Sequence, residues 1–351
     1  MPASRPAGAR GTGRRYVSAV GTAGADPLAV ATHIADEELF PTAARVDAAD
    51  ALPRERLDLL AAAGLYGLAG PREAGGLEPD FPTFCGVIEA LAGGDLTTAF
   101  VWVQHHGAVR ALAADDASPA LRDAELRPLC RGERRAGLAL PGLHPGPSAL
   151  EAVPAVDGWQ LRGTAPWVTG WGLVDVVLVA ARAPGDTVVW LLLDAVDQAG
   201  LAVARVPLLA CHASVTVELR FDGVRVDGSR EIRTTPYDPA AWTSGGDLRV
   251  NGSLALGVAG RCCRLLDDDG LRRELADHRA SLDSSPPQAM AEARAAASAL
   301  ASRVATRLMV TAGSRAVVRG HPAERLIREA TFLLVFGSRP AIKTSLLRLV
   351  R

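Results

Sequence analysis

Thr164-Ala165-Pro166-Trp167-Val168-Thr169-Gly170-Trp171-Gly172 is the stretch of this chain whose residue types point most directly to a ligand. Two indoles, two threonine hydroxyls and two glycines fall within nine residues. An indole face and a nearby hydroxyl suit a planar heteroaromatic molecule, one by stacking and the other by hydrogen-bonding a ring oxygen or nitrogen. The same residues suit a β-bulge whose tryptophans plug a junction between helices and sheet, and the sequence leaves both readings open. The other conspicuous pair is His105-His106. Neighbours on a helix point about 100° apart, so one is expected to face inward and the other outward. No third ligand accompanies them at metal spacing, and no metal is expected. Dinucleotide, P-loop, nucleophile-elbow and zincin motifs are all missing. The five cysteines, Cys85, Cys130, Cys211, Cys262 and Cys263, form no C-x-x-C pair and read as reduced, buried thiols of a cytoplasmic protein.

The elements that must position these residues come in three blocks. From Pro27 to Ala114 apolar residues recur at helical spacing: Leu28, Ala31, Ile34, then Leu57, Leu60, Leu65, then Phe84, Val87, Ile88, Leu91. Glycines at 64, 67, 70 and 75–76 mark helix stops, and Asp95 is placed to cap a helix running to Leu112. Near Arg135 the pattern turns to β-branched runs. Strands are expected over Val174–Ala181 and Val188–Leu193, joined by a Pro184-Gly185-Asp186 turn. A further alternating strand is expected over Ser214–Phe221, ended by a turn at Asp222-Gly223. Helical periodicity returns after Trp242. It carries a stretch rich in small residues (Gly252, Ala255, Gly257, Ala259, Gly260) and an alanine-rich helix from Ala289 to Val310, opened by Pro286-Pro287. The expected architecture is α+β, mostly α: a leader over 1–26, an N-terminal helical domain over 27–134, a middle β-barrel or sandwich over 135–232, and a C-terminal helical bundle over 240–351. Helices, then strands, then helices is an order that neither a doubly wound sheet nor an α/β barrel produces.

Composition narrows the function. Hydrophobic residues at 48% and charged residues at 22% describe a globular chain, not a disordered one. With 38 basic and 39 acidic residues the net charge is -1, which argues against nucleic-acid binding. No apolar run is long enough for a membrane span. Residues 1–25 contain no apolar segment of the kind a secretory signal needs.

Taken together, the block order and several fragments resemble the acyl-CoA dehydrogenase superfamily over roughly residues 27–350. Leu57–Gly76 is similar to the family's early helix and glycine turn, and Asp95–Ala108 to the helix lining its acyl pocket. Gly158–Ala180 is similar to its strand–loop–strand carrying Trp-x-Thr, Phe221–Val226 to a strand exit, and Ala323–Ala330 to a run before the active-site loop. The resemblance implies an FAD-dependent oxidoreductase that dehydrogenates an acyl thioester, on coenzyme A or a carrier protein, at the α,β positions. It further implies a homodimer or homotetramer. On the same resemblance, Trp167, Val168 and Thr169 contact the flavin, with Leu138, Ala139, Gly313 and Ser338 as further cofactor positions.

The chain departs from that pattern in three places. With Ile342-Lys343 kept in step, Gly337 takes the place of the family's usual glutamate base; one inserted residue puts Phe336 there. Some members carry the base on the first C-terminal helix; the matching position there falls near Val250, and the nearest carboxylate, about a turn away, is Asp247. Glu329 and His106 are the other candidates. The family's T-E-P loop is matched by Leu138-Ala139-Leu140-Pro141, with Ala139 replacing the hydroxyl. Its R-x-x-F-G arginine has no match, Arg272 and Arg273 being the nearest substitutes. These departures leave two alternatives beside dehydrogenation: a flavin-dependent monooxygenase on the same fold, or a flavin-free binding or partner subunit.

Overall fold

The computed structural model describes residues 25–239 and 245–349. All but the last two residues of the expected leader, 1–26, lie outside that range. Six helices come first: α1 (Pro27–His33), α2 (Ala43–Asp47), α3 (Arg54–Ala62), α4 (Phe81–Gly94), α5 (Leu96–Ala113) and α6 (Pro119–Cys130). Asp26 caps α1 by accepting the Leu28 N–H, and Asp95 caps α5 by accepting that of Thr97. Helix α5 runs through the middle of the molecule. Its buried residues include Thr97, Trp102, His105 and His106, so polar groups sit where a surface helix would show them to water.

Eight strands follow: β1 (Ala136–Ala139), β2 (Leu150–Ala155), β3 (Gly158–Val168), β4 (Val176–Ala183), β5 (Thr187–Asp194), β6 (Leu201–Arg205), β7 (Val217–Asp227) and β8 (Glu231–Pro236). They form one sheet in the order β6-β7-β3-β2-β4-β5-β8, with β1 parallel to β4. Two expectations need correction. Asp222-Gly223 is no turn; it lies inside β7, at a register shift opposite Leu161 and Arg162. Gly223 adopts φ +74°, which lets the strand bulge without breaking. Ser214, expected in the strand, falls in a short helical turn before β7, and β3 takes Thr164 to Val168 into the sheet.

Five helices complete the chain: α7 (Gly245–Leu266), α8 (Asp269–Ser284), α9 (Pro287–Ala312), α10 (Pro322–Val335) and α11 (Pro340–Leu349). Helix α7 crosses α4 at Gly257, where a β-carbon would stand 2.4 Å from the Glu89 carbonyl oxygen, so the crossing requires the small residues seen in the sequence. Arg249 on α7 ties the same helices together by binding Glu89 of α4 and Asp283 of α8. All five cysteines are buried and unpaired. Among the described residues, no helix is long and apolar enough to cross a membrane.

Candidate functional site

The end of β3 carries the indole. Between Ala165 and Val168 the pairing with β7 shifts register, and Trp167 is thrown out of the ladder at φ +64°. Its side chain is 63% exposed. The bulge considered from the sequence is therefore present, but Trp167 does not plug the junction. Thr169, two residues on, is buried. Its Oγ lies 3.2 Å from that of Thr216, which lies 2.8 Å from that of Ser214, so three hydroxyls form a chain beneath the rim. The strand end is pinned from the same side, since the Gly170 N–H donates to the Ser214 carbonyl and the Trp171 N–H to that of Val215. Val215 and Cys211 both adopt left-handed backbone, at φ +48° and +58°. For a β-branched residue that is a costly conformation, and strain of this kind persists where surrounding contacts over-determine it.

Helix α5 joins this rim to a second group of residues. A β-carbon on Gly170 would meet the Val101 methyl at 3.3 Å, and Gly107 lets Leu138 of β1 lie flat on the helix. Ala139, beside Leu138, is buried. The residue before Val101, Phe100, packs edge-on against Phe332 and Phe336, with ring centroids 5.3 and 5.0 Å away. Phe336 follows the last residue of α10, and Gly337 comes next at φ +60°. Two residues from the first turns of α7 face this link. Asp247 binds the buried Arg339 guanidinium, and the Asn251 amide nitrogen stands 3.1 Å from where a Gly337 β-carbon would be. Asp247 and Asn251 are four apart, hence on one face of α7. Desolvation raises the Asp247 carboxyl above its ordinary value, with Arg339 pulling it back.

The remaining positions singled out in the sequence fall elsewhere. Ser338 is exposed in the α10–α11 link, its N–H bonded to the Val335 carbonyl. Gly313 caps the far end of α9, with nothing within 4 Å of a β-carbon there. Glu329 is buried against Arg325. Burial pushes its carboxyl up to about 7, Arg325 opposes this, and Asp95 and Asp47 add to it. The histidine pair departs from expectation, because both rings are buried: α5 has protein on every side here. His105 accepts the Ala136 N–H at 3.1 Å, and burial lowers it to about 3. His106 sits among Trp102, Phe84 and His105 and is held well below its usual range by burial. Arg272 is bound on the surface by Asp267 and Asp269. Sequence reasoning missed Asn251, Arg339, Thr216 and Ser214. The last two sit in a run whose alternation reads only as strand, and the first two gain meaning only when α7 meets the α10–α11 link.

Residues 28–133 match the family "Acyl-CoA dehydrogenase, N-terminal domain". The chain is similar to benzylmalonyl-CoA dehydrogenase of Aromatoleum aromaticum, 29% identical over 64% of this chain and 62% of that one, less than two thirds of the relative's length. It is also similar to 3-sulfinopropanoyl-CoA desulfinase of Paraburkholderia xenovorans, 24% identical over 88% of this chain and 90% of that one. Butyryl-CoA dehydrogenase from Megasphaera elsdenii has the same fold, with a TM-score of 0.77 at 18% identity, covering 95% of this chain and 98% of that one. So does dibenzothiophene monooxygenase from Paenibacillus sp. A11-2, with a TM-score of 0.72 at 21% identity, covering 92% and 96%.

Proposed function

The chain belongs to the acyl-CoA dehydrogenase superfamily, and on that footing we propose that it is an FAD-dependent oxidoreductase that dehydrogenates an acyl thioester at its α,β positions, the acyl group carried on coenzyme A or a carrier protein. The observation that carries this reading is Trp167. A large indole is held exposed, on left-handed backbone, at the rim of the sheet beside a buried hydroxyl chain. Exposure and strain of that kind are offset when a flat ligand covers the ring. The exposed Trp167 face and the half-buried Leu138 of β1 fit a flat ring such as a flavin, with the Thr169 hydroxyl and Ala139 buried behind them. When bound, the flavin supplies hydride-accepting chemistry.

The chain's own residues supply the rest. Phe100, Phe332 and Phe336 make an apolar wall that keeps water from the acyl group. Asp247 is the carboxylate presented to the α10–α11 link and the proton acceptor of this reading, its raised pKa bringing it closer to neutral pH. Glu329 is committed to Arg325, and His106 lies among aromatic rings.

A second reading has its own support. Position 337 is glycine, its side-chain space faces an amide, and Asp247 is tied to Arg339. A flavin monooxygenase needs no carboxylate base, and a dibenzothiophene monooxygenase is among the proteins sharing this fold. A homodimer or homotetramer is proposed as well, supported by exposed apolar side chains toward the C-terminus: Val310, Val317, Val318, Val335, Leu347 and Leu349.

Purification tests the function directly. A yellow protein, or one that takes up added FAD, supports either enzymatic reading; a colourless protein that takes up none leaves a flavin-free binding subunit. Anaerobic mixing with acyl thioesters then separates the two. Bleaching without NAD(P)H supports dehydrogenation, and oxygen consumption that needs a flavin reductase supports monooxygenation.

A further inference from the structure

Arg294 of α9 is a buried cation without a counter-ion. It is 1% exposed, and among the described residues no carboxylate pairs with it. Burial lowers the guanidinium to about 10, so it stays charged at neutral pH. Its donors reach two neutral oxygens. One nitrogen donates to the Ser298 hydroxyl a turn further along α9, and another to the Leu333 carbonyl of α10 at 3.3 Å. Ser298 is itself fully buried and donates to the same carbonyl at 2.9 Å. The third nitrogen, Nε, has no partner among the described residues. Helix α10 ends at Val335, so the Leu333 carbonyl is among the last four, which a helix leaves without an intrahelical donor. Those carbonyls carry the negative end of the helix dipole, and a cation beside them is favourable. Apolar side chains of similar volume often replace buried charged groups without loss of stability, so stability alone does not account for this one.

We propose that Arg294 is a positioning residue: with Ser298 it fixes the C-terminal end of α10, and through it the aromatic wall and the α10–α11 link. Phe332 directly precedes the held carbonyl, and Phe336 follows the end of the helix. Their rings stack with centroids 5.6 Å apart, and both meet Phe100. Beyond Val335 the chain keeps two backbone bonds, from the Phe336 N–H to the Phe332 carbonyl and from the Ser338 N–H to the Val335 carbonyl. Gly337 stands between them at φ +60°, with the wide backbone freedom of glycine. The link is therefore as fixed as the turn it springs from, and Arg294, Ser298 and the Leu333 carbonyl together fix that turn. The consequence for the site rests on the acyl-thioester reading above; the hold on α10 does not. A wall displaced by about 1 Å misplaces the acyl group and slows the chemistry.

Peptide-resolved hydrogen exchange on the full-length protein tests the hold directly. In Arg294→Met, which fills similar space without charge, the amides of 336–339 are expected to exchange about tenfold faster or more, as the loss of a charged hydrogen bond would give. The interior of α9 is expected to keep its protection, and Tm not to fall. Arg294→Lys, which keeps the charge, is expected to restore part of the protection. Ser298→Ala is expected to raise exchange over the same residues by a smaller factor, and it decides the matter if Arg294→Met does not fold. Unchanged exchange over 336–339, or a rise spread evenly over α9 and α10 with a lower Tm, overturns the assignment. A second measurement connects the hold to the site: anaerobic bleaching of the FAD-loaded protein by saturated acyl-CoAs from butyryl to dodecanoyl. Arg294→Met is expected to lower the limiting rate about tenfold at unchanged flavin content, and Arg294→Lys to recover part of it. A faster-exchanging variant that bleaches at the wild-type rate overturns the connection to the site. A wild type that no acyl thioester bleaches sinks the acyl-thioester reading, whereas the exchange result judges the hold on α10 by itself.

Discussion

Glu329→Gln isolates the cost of a buried carboxylate that the fold retains at the junction of its two helical domains. Glu329 is 2% exposed, on α10, with Arg325 as its hydrogen-bonded partner. Asp95 at the start of α5 and Asp47 on α2 oppose its charge, and Cys211 and Cys262 lie within its field. Burial dominates and carries the carboxyl from 4.5 to about 7. Its folded pKa is raised, so between these values the folded protein holds a proton that the unfolded chain has released. The associated stability is therefore full below 4.5, falls as pH rises, and is gone above about 7. At about 1.4 kcal/mol per pH unit the whole effect is about 3 kcal/mol. Glutamine mimics the protonated form and does not titrate. Between pH 5 and pH 8 the variant should therefore gain about 2–3 kcal/mol on the wild type. An unfolding entropy of about 2.1 cal/mol/K per residue, over 351 residues, turns this into a relative rise in Tm of about 3–4 °C. Calorimetric melts of both proteins at the two pH values measure it. A Tm difference that stays constant across the range refutes the reasoning. A variant that loses ground at pH 8 would show that the Arg325 pair outweighs burial.

Three further outcomes are expected. Trp167→Ala should purify with less FAD than wild type, read as the flavin-to-protein absorbance ratio. Trp167→Gly should do the same yet melt slightly higher without flavin, because glycine relieves about 1 kcal/mol of left-handed strain. If both variants keep a full complement of flavin, the rim of β3 is not the cofactor's seat. Asp247→Asn should retain flavin but lose about a hundredfold or more in the rate of anaerobic bleaching by an acyl thioester, the usual worth of a positioned base; an unchanged rate would place the base elsewhere. Gly337→Glu should fold, with a circular dichroism spectrum like the wild type's, and be less stable by about 1–2 kcal/mol. It pays for a side chain on left-handed backbone and for pushing the Asn251 amide aside; a failure to fold would mean that the α10–α11 link tolerates no side chain at all.

Much of the architecture could be read in one dimension. Apolar spacing near 3.6 placed α4, α5 and α9, and Asp95 marked the start of α5 as its cap. The β-branched runs placed β4 and β5 to within about two residues, an error common at element ends. Asp222-Gly223 misled because a glycine with positive φ serves a bulge inside a strand as well as a turn between strands. The histidine pair misled because spacing on a helix says which directions two side chains point, not whether protein or water lies in each direction.

Residue types and their local periodicity determined the order of blocks, the kinds of elements and the presence of a ligand-suited tryptophan–threonine motif, since each depends on neighbours within a few positions along the chain. Tertiary packing alone decided that Trp167 is turned outward by a bulge while Thr169 joins a buried hydroxyl chain. It also set Asn251 and Asp247 against Gly337 and Arg339. Those pairs lie on helices far apart in sequence, and contact between them follows from how apolar faces bury one another, which no local pattern encodes.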